Sequence, residues 1–132
     1  KTTARLDASF TYNKADQVTN MNYMLEEDSF LKQTYGYENR GWLSSTGTEL
    51  FQVIHGEENP VEAPPLFSEN LTYYKNGNVN TQTINNLGNN NWPVLNFTYS
   101  YDGLNRLTNS NCSNNSLDQT FFYDENGNIT KI

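Results

Sequence analysis

The sequence predicts an all-β chain built of consecutive antiparallel β-hairpins that form a curved, twisted sheet. Three observations carry this. First, Phe97-Thr98-Tyr99-Ser100-Tyr101 alternates aromatic with small polar residues, the period of a strand with two unlike faces; Asp102-Gly103 then supplies turn chemistry and Leu107-Thr108 restarts the alternation. Second, this spelling recurs: a tyrosine, a residue that tolerates positive φ four positions on, an aliphatic six on, then Thr, Ser or Asn. The anchors are Tyr12, Tyr37, Tyr73, Tyr101 and Tyr123, at spacings of roughly 22 to 36 residues, an internal repeat. Third, 35% hydrophobic residues and a mean hydropathy of -0.80 are low for a compact globule, while 14% aromatic is high. A thin β-layer whose tyrosines supply most of the burial fits those figures.

The physics of the unit explains its spelling. The tyrosine packs its ring on a neighbouring hairpin while its hydroxyl reaches water or a backbone group. Gly41, Gly77 and Gly127, and Asp16 in the first copy, stand where a short hairpin loop needs positive φ. Val18, Leu43, Val79, Leu107 and Ile129 restart the buried face. One hairpin is marginal in water, whereas a row of them stacks and becomes stable.

Taken in order, the first unit spans 5–24: Phe10 and Tyr12 lead in, Lys14–Asp16 turn, and Val18 leads out toward Met21, Tyr23 and Met24. Glu26-Glu27-Asp28 reads as an exposed connection, and Tyr23–Leu31 also admits a brief helix. The second unit, 30–45, has Tyr35 and Tyr37 before its turn and Trp42 and Leu43 after it. Ser44–Gly47 is turn-rich, and Leu50–Ile54 reads as one more strand. Residues 55–65 carry Pro60, Pro64 and Pro65, which deny ladder donors and predict a loop at the surface or the sheet edge. The third unit, 67–84, turns at Asn76-Gly77, a favoured hairpin dipeptide. Asn85–Pro93 is an amide-rich loop carrying Trp92. The fourth unit, 97–112, and the fifth, 119–132, are joined by a polar loop over Asn109–Asp118. The whole of 1–132 reads as one array with no domain boundary.

Charge and cysteine usage narrow the function classes. A net charge of -7 and a pI near 4.5 argue against nucleic acid and against anionic membranes, both of which need basic patches. Cys112 is the only cysteine, so no internal disulfide forms. No apolar run approaches the ~20 residues of a membrane span, and Lys1-Thr2-Thr3-Ala4 lacks the apolar core of a signal peptide. The chain opens just before a strand over Ala8–Tyr12 and stops just after a hairpin has turned. It therefore reads as a piece of a longer protein, with an unpaired strand edge expected at each end.

No catalytic, cofactor or metal set emerges. His55, the only histidine, sits beside Glu57 and Glu58 in the proline-flanked loop, and nothing fixes the separation of pairs such as Glu57/Glu62 or Glu26/Asp28. Asp124-Glu125-Asn126-Gly127-Asn128 opens like a calcium loop, but Ile129 holds the sixth position where such a loop requires Gly. A hairpin turn is the better reading. Trp42, Trp92 and the tyrosines also suit a stacking platform for sugars, with asparagine amides supplying hydrogen bonds. The repeat register assigns the five tyrosines to structure, which leaves Trp92 as the candidate ligand contact.

Tyr101-Asp102-Gly103-Leu104-Asn105-Arg106-Leu107-Thr108 and Tyr123-Asp124-Glu125-Asn126-Gly127-Asn128-Ile129-Thr130 resemble the YD repeats of the RHS family, which includes bacterial polymorphic toxins, the shell component of insecticidal toxin complexes and animal teneurins. Arg40-Gly41-Trp42-Leu43 and Leu66–Tyr73 are similar to the linking segments of bacterial RHS proteins. The resemblance covers nearly the whole chain. It departs at Asn13, Glu38 and Tyr74, which stand where the other copies have Asp102 and Asp124. It implies an arc of a β-shell that encloses or displays a C-terminal toxin or cargo, in a secreted or cell-surface bacterial protein, with no enzymatic activity in this segment. The implied partners are the remainder of the parent chain or another protein pairing at the open edges. The alternative is a surface adhesion or glycan-binding module.

Overall fold

The computed structural model describes residues 8–26, 29–52, 61–62, 65–86 and 93–132; for Glu26, Gln52, Val61, Glu62 and Asn86 it describes the backbone alone. The chain is all-β. Its strands are β1 (Ala8–Tyr12), β2 (Val18–Glu26), β3 (Ser29–Tyr37), β4 (Leu43–Gln52), β5 (Val61–Glu62), β6 (Phe67–Tyr73), β7 (Val79–Asn86), β8 (Leu95–Tyr101), β9 (Leu107–Cys112), β10 (Gln119–Thr120), β11 (Phe122–Tyr123) and β12 (Ile129–Lys131). A 3-10 turn over Asn115–Leu117 joins β9 to β10.

Two compact units divide the chain, and the division falls within β6 and near the end of β7. In the first unit the strands pair antiparallel in the order β1-β2-β3-β4, the short β5 adds to β4, and the start of β6 follows β4. In the second the order is β6-β7-β8-β9-β10, with β11 and β12 forming a two-stranded sheet of their own. Neighbours in sequence are thus neighbours in the sheet, which is what a row of hairpins requires.

All five loops close in the same way. In each, the N–H of the first loop residue donates to the carbonyl of the fifth: Asn13 to Gln17, Glu38 to Trp42, Tyr74 to Asn78, Asp102 to Arg106 and Asp124 to Asn128, at 2.8–3.0 Å. The N–H of the fourth returns to the carbonyl of the first. This is the three-residue hairpin loop whose last residue is left-handed. That residue is Asp16 (φ 58°), Gly41 (81°), Gly77 (94°), Asn105 (62°) or Gly127 (85°). Asn76-Gly77 is therefore the end of a three-residue loop rather than a two-residue turn, and Gly103 lies outside the left-handed region.

Past four of these loops the ladder slips by one residue. Tyr12 pairs with Val18, Tyr37 with Leu43, Tyr101 with Leu107 and Tyr123 with Ile129, which leaves Thr19, Ser44, Thr108 and Thr130 as the extra residue of a bulge. This explains the small polar residue after Val18, Leu43, Leu107 and Ile129. The Thr19 hydroxyl donates to Thr11 O at 3.2 Å and that of Thr108 to Ser100 O at 3.1 Å, replacing a partner that the bulge removes.

Several sequence expectations are corrected. Ser44–Gly47 is not a turn, and Leu50–Gln52 is not a separate strand: both belong to the continuous β4. The glycines explain it. A Cβ on Gly36 would collide with Ser45 Oγ, and one on Gly47 would meet Thr34 Oγ1 at 2.8 Å, so these glycines permit a close cross-strand approach. Tyr23–Glu26 and Ser29–Leu31 are strand rather than helix, because Tyr23 faces Leu31 and Met24 faces Phe30 across the ladder. Within 55–65, Val61–Glu62 form β5. Asn109–Cys112 extend β9, so the polar connection is only Ser113–Asp118. The strand entering the fifth unit is divided at Phe121, whose N–H bonds Thr108 O at 2.9 Å. Val53, Ile54, Pro60, Pro64 and residues 87–92 lie outside the described residues.

The described residues include no thick core. Only Cys112 and Ser110 are buried, each 6% exposed. They lie beneath the Ser113–Asp118 connection, where Asp118 Oδ1 accepts the Cys112 N–H at 2.6 Å and Cys112 Sγ accepts that of Asn114 at 3.4 Å. Elsewhere, cross-strand pairs do the packing. Phe30 stacks on Phe51 with ring centroids 4.8 Å apart, and Lys32 reaches Glu49 at 3.6 Å while lying over the Phe51 ring.

Candidate functional site

The feature that recurs with fixed geometry is the joint between successive hairpins. The β2–β3 ladder stops at Asn20↔Thr34, the β7–β8 ladder at Thr81↔Thr98 and the β9–β10 ladder at Asn109↔Thr120. Beyond that point, toward the loops, the anchor tyrosine takes over. The Tyr37 hydroxyl donates to Val18 O at 2.8 Å, Tyr101 to Val79 O at 2.9 Å and Tyr123 to Leu107 O at 2.7 Å. In all three the acceptor lies two residues before the last ladder pair on one strand, and the tyrosine lies three residues after it on the other. The aliphatic that closes one hairpin thus offers its carbonyl to the tyrosine that opens the loop of the next. Tyr12 occupies the same place at the end of β1, but 58% of it is exposed, and Phe10 beside it is 46% exposed. Tyr73 ends β6 in the same register.

Polar side chains couple neighbouring loops. Gln17 Nε2 donates to Gly41 O at 2.8 Å, and Asn76 and Asn78 both donate to Asn105 Oδ1, at 2.8 and 3.3 Å. Arg106 bonds Asp124 O at 3.4 Å, lies 4.6 Å from the centre of the Tyr123 ring and pairs with Asp102 at 2.7 Å. The arginine thereby ties the fourth loop to the fifth.

The first loop position carries most of the local electrostatics. Asp102 Oδ1 accepts from Leu104 N and Arg106 N at 2.9 and 3.0 Å; Asp124 Oδ1 accepts from Asn126 N and Asn128 N at 2.9 and 2.8 Å. Asn13 Oδ1 does the same for Ala15 N and Gln17 N. The Arg106 N–H, followed by the Arg106 side chain and the Leu104 N–H, holds the Asp102 carboxyl below its ordinary value. For Asp124 the Asn128 side chain and N–H lead. Burial, then the neighbouring Tyr74, pushes the Tyr101 hydroxyl up. Both Asp124 oxygens are engaged within the loop, Oδ2 by the Asn128 amide at 2.9 Å, which is a turn and not a calcium shell. Among the described residues no cluster of His, Cys, Asp and Glu has the makings of a metal site.

Of the residues singled out from sequence, Tyr37, Tyr101 and Tyr123 are brought into the joint, and Gly41, Gly77 and Gly127 occupy its left-handed positions. Trp92, His55, Glu57, Glu58 and Asp28 lie outside the described residues. Trp42 is covered by the Arg40 guanidinium, 3.9 Å from its ring centre. Sequence reasoning missed Arg106 and Tyr74. The signal for Arg106 was its position, four residues after Asp102 and at the end of a three-residue loop.

No protein-family model matches the chain, and no curated protein matches it significantly.

Proposed function

We propose that the chain is a structural repeat segment of a secreted or cell-surface RHS-like bacterial protein, one stretch of a β-wall that encapsulates or displays a C-terminal toxin or cargo. The observation that supports this best is the joint: a tyrosine hydroxyl on the closing aliphatic's carbonyl, in identical register at Tyr37, Tyr101 and Tyr123. Such a joint is indifferent to the rest of the sequence and adds hairpins without limit, as a wall requires. On this reading the segment contributes architecture and no chemistry of its own. Its partners are further hairpins of the same kind, from the parent chain or another protein. The exposed β1 edge with Tyr12 would supply the hydroxyl of one further joint, and the Ile129 carbonyl on β12, in the register of Val18, Val79 and Leu107, would accept another.

The test is size-exclusion chromatography with light scattering on the chain. Concentration-dependent self-association is expected, weakened by Tyr12→Ala. A clean, stable monomer at 15.1 kDa over the whole concentration range would overturn edge addition.

A further inference from the structure

Tyr74 breaks the rule of its own repeat. At the first loop position the other hairpins carry Asn13, Glu38, Asp102 and Asp124. Three of these cap two loop N–H groups, and Glu38 pairs with Arg40 at 2.8 Å. A tyrosine does neither. Asn76 makes up part of the loss by accepting the Asn78 N–H at 3.2 Å. A position where the structural spelling is abandoned is a place to look for function.

Here the loops of β6–β7 and β8–β9, both in the second unit, border an open groove of about 520 Å³. This lies within the ~300–1,000 Å³ usual for ligand sites. Tyr74 forms one wall. Its hydroxyl bonds Tyr99 O at 3.2 Å, its ring meets Tyr101 edge-on with centroids 6.2 Å apart, and it remains 43% exposed. The ring is thus held in place before any ligand arrives, which lowers the ordering cost of binding. Along the rim stand Asn76, Asn78, Asn105 and Ser100. Asn105 Oδ1 is taken by the two neighbouring amides, which leaves its Nδ2 as a donor.

We propose that this groove binds a neutral oligosaccharide, one sugar ring stacking on Tyr74 and its hydroxyls meeting the asparagine amides and Ser100. The chemistry of the lining selects that class. No Leu, Ile, Val or Met lines the groove; its apolar surface is the Tyr74 and Tyr101 rings with the Lys75 stem beside them, flat faces that suit a sugar ring better than a branched peptide side chain. Asp102, its one carboxylate, is committed to Arg106 and two loop N–H groups. The chain's net charge of -7 repels polyanions. The proposal stands independently of the wall reading.

The test is titration of the 15N-labelled chain with chitohexaose and, separately, maltohexaose, following backbone and side-chain amide signals, with oligogalacturonate as the anionic comparison. Saturable shifts are expected at Asn76, Asn78 and Asn105 with at least one neutral probe. Tyr74→Asn should weaken that binding by about tenfold or more, the scale of one lost aromatic contact. This variant keeps a foldable loop, since Asn13 caps the same loop in the first hairpin. Asn126→Ala, in the fifth loop, should leave binding unchanged. The proposal fails if neither neutral probe gives saturable shifts at millimolar concentration, if folded Tyr74→Asn binds as well as the parent, or if oligogalacturonate binds more tightly than both.

Discussion

The loops at 102–106 and 74–78 are alike in backbone and unlike in side chain. Both close with a first-to-fifth bond, at 3.0 and 2.8 Å, and both put a left-handed residue fourth. In the one, Asp102 collects two N–H groups and an arginine; in the other, Tyr74 leaves the loop to reach the next hairpin. The backbone geometry therefore does not depend on the capping carboxylate. What it does depend on is the fourth residue, where only Gly, Asn and Asp occur in all five copies. The invariant part of the repeat is steric and the variable part is electrostatic, and substitutions separate the two.

The largest effect is expected at the left-handed position. A Cβ on Gly127 would meet no heavy atom within 4 Å, so any penalty there is backbone strain alone. Gly127→Val should destabilise the last hairpin by about 1 kcal/mol or more, because a β-branched residue is poorly tolerated at positive φ. Hydrogen exchange of the Asp124–Asn128 amides together with the denaturation midpoint reads this out. Gly103 provides the control: it too has open space around it, but it lies outside the left-handed region. Gly103→Ala should stay within about 0.5 kcal/mol of the parent. Equal behaviour of the two variants would remove the steric account.

Next in size is the joint. Tyr101→Phe deletes a half-buried hydroxyl that bonds Val79 O and leaves that carbonyl without its partner; a loss of about 0.5–1.5 kcal/mol in urea unfolding is expected. Tyr12→Phe, at the exposed equivalent, should change the stability of the chain by less than the error of the measurement. Matching losses at the two sites would mean that the hydroxyl acts through solvation and not through the joint.

The loops and the tyrosine anchors were legible in the sequence because both are local: spacing alone places Tyr, Gly and aliphatic on one hairpin. The small polar residue after the aliphatic was visible as a pattern, but its cause, a bulge that removes one ladder partner, is a property of pairing and not of a single strand. Ser44–Gly47 misled for the same reason. Glycine and serine spell a turn when read along the chain and a tight cross-strand contact when Gly36 and Thr34 stand opposite. The groove beside Tyr74 was illegible because its walls come from loops 25 or more residues apart. Trp92, the aromatic that the sequence put forward for binding, lies outside the described residues.

The smallest expected effect is the one that isolates the electrostatic part. Asp102 and Asp124 titrate below the ordinary 3.8 in the folded chain and near it once unfolded. Between the folded and unfolded values the unfolded chain holds more protons, so stability there rises with pH. The contribution is complete above the unfolded value and is lost as pH falls through the folded ones. Comparison with Asp102→Asn isolates it from the other carboxylates: asparagine keeps an acceptor for Leu104 N and Arg106 N but carries no charge for Arg106. The parent should melt above Asp102→Asn at neutral pH, and the gap should close below about pH 4. Tyr74→Asn neither removes nor adds a carboxylate, so its difference from the parent should stay constant across the same range. A gap that does not narrow at all as pH falls below 4, or one that narrows equally for both variants, would mean that the carboxylate does not distinguish the two loops.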